Sequence, residues 1–153
     1  MAMATAESLA ALFTEDETAW LEAMADLIRL RDLAALDLEN LAEYLVDMAR
    51  RDRREVKSRL VVLLAHLLKW DFQPEKRSRS WRTTILSQRQ ELADLASRGV
   101  LRTHAETVLP AAYENAVELA ASETGVPAAT FPKVCPLTVE QLLAIDVSNA
   151  ETA

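Results

Sequence analysis

From Leu38 to Trp70 the chain runs without a glycine or a proline, and apolar residues recur at Leu41, Leu45, Met48, Val56, Leu60, Leu63, Leu67 and Trp70, mostly in steps of three and four. That is the period of a helix face, and it predicts one long helix of about 50 Å at about 1.5 Å per residue. Its C-terminal half, "SRLVVLLAHLLKW", is apolar on every side. A helix of that kind cannot lie on a surface, so neighbours are expected to pack all around it. Its middle, "ARRDRREVKSR", is charged nearly all round and is expected to leave the bundle or to kink near Asp52.

The flanking pattern is helical as well. Thr14, with Glu17 three residues on, reads as a capping box opening a helix that runs to about Arg31, with Trp20, Met24, Leu27 and Ile28 on its apolar face. Asp37 is an N-cap candidate for the long helix. A third helix lies within Pro74 to Arg98, with Trp81, Ile85, Leu92 and Leu95 as its seam. A fourth region covers Leu101 to Glu123, where Pro110 either kinks the helix or opens a new one. "FPKVCPLTVEQLLA" reads as an extended, Pro-rich stretch ending in a short helix capped by Thr138 and Gln141. Gly99 and Gly125 each follow a helical run, where a left-handed cap would use them. No stretch alternates apolar and polar residues between turn signals, so the expected fold class is all-α: a compact helical bundle around one long central helix. Residues 1–13 are expected to form a flexible N-terminus, 14–145 a single helical domain and 146–153 a frayed tail.

Composition narrows this picture. A chain of 153 residues suits one domain and can bury roughly 70% of the surface its unfolded form exposes. Hydrophobic residues make up 50% and charged ones 27%, a balance that excludes a disordered polyelectrolyte. No secretion signal is visible and no apolar run is long enough to span a bilayer, so the expected location is the cytoplasm, with no membrane partner. Cys135, the single cysteine, cannot make an internal disulfide, in keeping with a reducing compartment. Net charge is −7, but Arg50 to Arg89 carries twelve Lys/Arg against four acids, so this segment is basic and the remainder strongly acidic.

That asymmetry selects the first candidate site. In "RSRSWRTT" the guanidinium groups of Arg77, Arg79 and Arg82, the hydroxyls of Ser78 and Ser80, and the N–H groups of a helix start could surround a phosphate or carboxylate, with Trp81 beside them for stacking. Against this, the same arginines could pair with the acidic remainder of the chain, for which Glu15, Asp16, Glu17, Glu114, Glu118 and Glu123 are available. The internal pairing is the favoured reading, and the overall negative charge argues against nucleic acid. His66 and Gln88 form a second candidate, a buried polar set in apolar surroundings that must find hydrogen-bond partners within the fold and could find each other. Glu43 and Asp47, one turn apart, could hold a single hard cation but read better as solvated acids. No Glu-x-x-His pair supplies a di-iron site, Cys135 has no catalytic histidine signature, and no cofactor is expected.

Several motifs together resemble a known family. "LDLENLAEYLVDM", "SRLVVLLAHLLKW", "QPEKRSRSW" followed by "TILSQR", "SETG" and "FPKVCPLTVEQLL" are similar, in this order, to the successive motifs of the domain-of-unknown-function 29 (DUF29) family, from about Phe13 to Ile145. The resemblance implies a compact α-helical fold and a bacterial, cytoplasmic protein. It implies no activity, substrate or cofactor, and so no catalytic residues. Tyr44 and Leu45 stand where the family usually has acids, and Leu137 where it often has Trp.

The functional reading that follows is a non-catalytic protein-interaction or self-associating helical module. A charged helix of this length outreaches a bundle of this size unless another chain covers it. The alternative is a module binding a phosphate-bearing small molecule at the basic helix start, 77–82. A hydrolase-like enzyme using His66 ranks below both.

Overall fold

The computed structural model describes residues 6–147, in which six α-helices and three short 3-10 turns succeed one another without a strand. Residues 1–5 of the expected flexible N-terminus and 148–153 of the expected tail lie outside the described residues. The helices are α1 (Ala6–Glu15), α2 (Glu17–Arg29), α3 (Leu38–Phe72), α4 (Arg79–Ala96), α5 (Gly99–Thr124) and α6 (Val139–Leu143). The all-α expectation and the long helix are both met, and α3 continues through "ARRDRREVKSR" as a single element of 35 residues.

Two compact units divide the chain, one up to Arg50 and one from Arg51 onward, and each has its own cluster of buried side chains. In the first unit Trp20 and Met24 of α2 and Leu9 of α1 are buried, with Phe13, Leu27, Leu41 and Tyr44 packed around them. The rings of Phe13 and Tyr44 stand 4.7 Å and 5.9 Å from that of Trp20. The indole Nε1 of Trp20 donates to Asp37 Oδ2 at 3.1 Å, and Asn40 Nδ2 donates to the same oxygen at 2.7 Å. A buried indole N–H needs such an acceptor, and its carboxylate partner sits at the start of α3.

The start of α2 differs from the expected capping box. Asp16, not Thr14, is the N-cap, accepting from the Ala19 N–H at 3.1 Å, while Thr14 belongs to the preceding helix α1 and its hydroxyl donates back toward Ala10 O. The "S/T-x-x-E" pattern was present, but a carboxylate two residues on competes for the same role and also faces the positive end of the helix dipole.

In the second unit the C-terminal half of α3 is enclosed, as its all-round apolarity requires. Leu60 and Leu63 are fully buried, and Leu64, Leu67, Leu68 and Trp70 are no more than 6% exposed. Each such side chain contributes roughly 1.5–3 kcal/mol by leaving water. Ile85, Leu92 and Ala96 of α4, four alanines and Tyr113 of α5, and Val139 and Leu142 of α6 complete the cluster. The alanines at 105, 112, 116 and 120 are buried in this cluster and give α5 a narrow flank within it. Pro110 stays inside α5, where its missing N–H leaves the Glu106 carbonyl without its usual partner.

The last elements are pinned by polar contacts. Tyr113 Oη donates to Pro132 O at 2.6 Å, Arg89 donates to Ile145 O at 2.8 Å, and the rings of Phe72 and Phe131 meet edge to face at 5.1 Å. Thr138 and Gln141 form the predicted capping box of α6, and Gly125, at φ +75°, closes α5 through its N–H to Ala121 O. The other glycine lies at an opening: Gly99, at φ +73°, begins α5.

Candidate functional site

The basic helix start at 77–82 is divided between the fold and the solvent. Ser78 is the N-cap of α4, and its hydroxyl accepts the Trp81 N–H at 3.1 Å, so the oxygen expected to face an anion is used by the backbone. Arg77 donates from Nε to the Trp70 carbonyl at 2.8 Å, and its guanidinium carbon lies 5.0 Å from the centre of the Trp70 ring. Both contacts tie it to the C-terminal end of α3, where free carbonyls attract cations. Arg79 and Ser80 are exposed and Arg82 is half-buried. Of the cations at this helix start, Arg77 is thus met by a carbonyl and an aromatic face.

Trp81 is also occupied. The Lys69 ammonium stands 5.1 Å from the centre of its ring and 2.6 Å from Glu123 Oε2 on α5. The Lys69 side chain is 8% exposed and that of Glu123 42%, so the pair has one dry end and one wet end. One of the acids expected to balance the basic segment does so, but its partner is Lys69. Arg59 is held by Glu55 at 2.9 Å, by Glu91 at 3.7 Å and by the side-chain oxygen of Gln88 at 3.3 Å.

His66 and Gln88 do not meet. Gln88 serves Arg59, while His66 Nδ1 lies 2.9 Å from the Val62 carbonyl one turn earlier, a contact in which the ring must donate. Both residues are half-buried rather than enclosed. Burial holds the His66 pKa below the ordinary imidazole value; the Val62 hydrogen bond opposes the shift, Lys69 adds to it and Glu123 opposes it. The ring is neutral at physiological pH, with its proton at Nδ1. It lies within reach of the charges of Lys69 and Glu123.

Two clefts carry polar groups. One, of about 450 Å³, has an apolar floor of Leu67, Trp70 and Leu137, with Asp71, Arg77 and Asp146 around it. Burial raises the pKa of Asp71, and the neighbouring Arg77 offsets part of that rise. The other, of about 690 Å³, lies along the start of α5 with Arg53, Arg102 and His104 on its walls, and Arg102 is already paired with Glu106 at 3.0 Å. Cys135 donates its thiol to Leu137 O at 3.3 Å, and burial pushes its pKa above the usual thiol range, which makes it a poor nucleophile. Among the described residues no three His, Cys, Asp or Glu side chains converge on a common point where a metal could sit, and no helix is long and apolar enough to cross a membrane.

A different surface stands out in the first unit. Of the nine large hydrophobic side chains exposed among the described residues, six precede Arg50: Ile28, Leu30, Leu33, Leu38, Leu45 and Val46. Three of these lie on α3. Leu38 is 63% exposed, Leu45 60% and Val46 49%; Leu38, Ala42, Leu45 and Ala49, all exposed, follow one another in steps of four, three and four, with Val46 beside them in one stripe. The sequence pattern had placed Leu45 with Leu41 and Met48 on one buried face. Leu41 and Tyr44 do face Trp20, but Leu45 points elsewhere, and the signal that separates the two faces is the seven-residue interval from Leu38 to Leu45.

The family described as "Domain of unknown function DUF29" matches residues 12–147, nearly the whole chain, and the protein belongs to that family. No curated protein and no solved structure matches it.

Proposed function

We propose that this member of the DUF29 family is a protein-interaction module that works without catalytic chemistry of its own, and that it docks a helical partner on the uncovered stripe of α3. One observation carries the reading. The first half of α3 is apolar on two faces, one packed on Trp20 and one wet, and a helix apolar on two faces is at rest only when both are covered. Glu39, Glu43 and Asp47 run along the edge of the stripe and are exposed. The partner that fits is a helix with an apolar face flanked by cations.

The anion-binding alternative at 77–82 has less support, because Arg77, Ser78 and Trp81 each have a partner within the fold. An enzyme built on His66 has less still, since the ring's Nδ1 is held by a backbone carbonyl. A reducing cytoplasm suits the chain's single thiol.

The test is site-specific photo-crosslinking in cells that make the protein, with a photoreactive phenylalanine analogue in place of Leu45 and, as a control, in place of the exposed Glu118 on α5. Discrete protein adducts are expected from position 45 and not from position 118. Absence of any adduct at position 45, including one between two copies of the chain, overturns the reading.

A further inference from the structure

Resting on that reading, we infer that the partner on the stripe is a second copy of this chain, with the two α3 helices antiparallel about a two-fold axis beside Leu45 and Val46.

Charge is ordered along α3. Glu39 and Glu43 come first, then Arg50 and, one turn on, Arg54. At 100° per residue these four lie on the same flank of α3, next to the stripe and away from the side that packs on Trp20. Glu39, Glu43 and Arg54 make no ion pair or side-chain hydrogen bond among the described residues, and Arg50 makes one exposed contact with Asp47 at 3.6 Å. A flank with acids at one end and bases at the other is complementary to itself when reversed. Antiparallel pairing sets Glu43 opposite the second copy's residue 50 and Glu39 opposite its residue 54, each pair occurring twice by symmetry. A parallel two-fold pair would set the two flanks on opposite sides of the interface, where they could not meet.

The same operation satisfies the apolar stripe. Pairing 43 with 50 and 39 with 54 puts the axis between residues 46 and 47, so that Leu45 and Val46 meet their own symmetry mates. Ala42 and the second copy's residue 49 then lie within about 3 Å of one another along the helix axis, and their small side chains let the helices approach closely. Leu38, at the far end, covers the apolar stems of the opposing arginines. One rotation thus buries the wet leucines and gives the glutamates of the flank a basic partner.

The experiment measures solution mass by sedimentation velocity from low to high micromolar concentration. The expected wild-type result is twice the chain mass of 17.0 kDa at the upper end. L45E is expected to remain monomeric at every concentration with an unchanged helical circular dichroism spectrum. E43R and R50E are each expected to weaken the dimer about tenfold, and the double variant E43R/R50E to restore it, since two symmetric pairs are reversed together.

A wild-type chain that stays monomeric throughout overturns the inference, as does a dimer indifferent to L45E. Failure of E43R/R50E to recover what each single variant loses overturns the antiparallel arrangement. The photo-crosslink separates this from the broader reading. An adduct at position 45 with another protein, beside a monomeric wild type, rejects the second copy and retains the interaction module; no adduct at all rejects both.

Discussion

At Lys69 an ammonium is taken almost wholly out of water and answered by one carboxylate, Glu123, and one aromatic face, Trp81. The two ends of the pair differ in exposure, and so should the results of cutting it. Glu123→Gln leaves a buried cation with a weakened partner and is expected to cost roughly 2 kcal/mol, less than a fully buried pair would lose because Glu123 is half wet. Lys69→Met leaves a carboxylate that can rehydrate and a flexible apolar chain over Trp81, so little stability should be lost. Urea denaturation of the two variants at neutral pH checks the asymmetry, and equal losses would contradict it. His66 reports on the same pair. Its folded pKa is depressed, so as pH falls through the unfolded value near 6.5 the unfolded chain takes up a proton that the folded one refuses, and stability declines until the folded pKa is passed. Removing the cation in Lys69→Met should move the His66 titration up, and removing the carboxylate in Glu123→Gln should move it down, as read from imidazole resonances. Glu123 was legible in the sequence as an acid for the basic segment, but its pairing with Lys69 rather than an arginine was not. The need for a partner at His66 could be read from its apolar neighbours, but its nearest acceptor, the Val62 carbonyl, is backbone, and backbone leaves no mark on residue types.

At the scale of the element, α3 holds leucines of the same chemistry in opposite circumstances, and that makes it its own control. Leu63 is fully buried against α4 and α5, whereas Leu45 is 60% exposed. Leu63→Ala should cost about 3 kcal/mol through lost burial and the cavity left behind. Leu45→Ala should change stability by less than about 0.5 kcal/mol in dilute solution, where the chain is alone, and by more as concentration rises and a second copy covers it. Thermal melts of both variants at two protein concentrations decide this: a loss at Leu45 that is large and independent of concentration would mean that the side chain supports its own unit. The enclosed half of α3 was readable because leucines at 63, 64, 67 and 68 leave no polar side to face water. The two-faced half was not, since Leu41 and Leu45, one turn apart, satisfy a helical repeat while pointing to different neighbours. Capping showed the same mixture. The box at Thr138 and Gln141 formed as written, but the one at Thr14 yielded to Asp16, because a short local pattern does not say which of two oxygens will reach the helix first.

For the whole molecule, chain length argued for one core, and the structure holds two clusters of very different size. Among the described residues the buried hydrophobic cluster has three members in the first unit and nineteen in the second. Length sets how much surface can be buried and does not say how the burial is divided. The division has a thermodynamic consequence, because local opening costs least where the fewest apolar contacts are lost. Native-state hydrogen exchange should therefore rank the units. Amides of α2 around Met24 and Leu27 should open at lower free energy than those of α3 between Leu60 and Leu68, which should exchange only with global unfolding. If α3 pairs with a second copy, raising protein concentration should slow exchange in α2 and in the first turns of α3, and leave the Leu60–Leu68 amides unchanged, because mass action stabilises only the unit that the dimer covers. Uniform protection across both units would show that they open together. A concentration effect confined to the second unit would place the association surface away from the stripe.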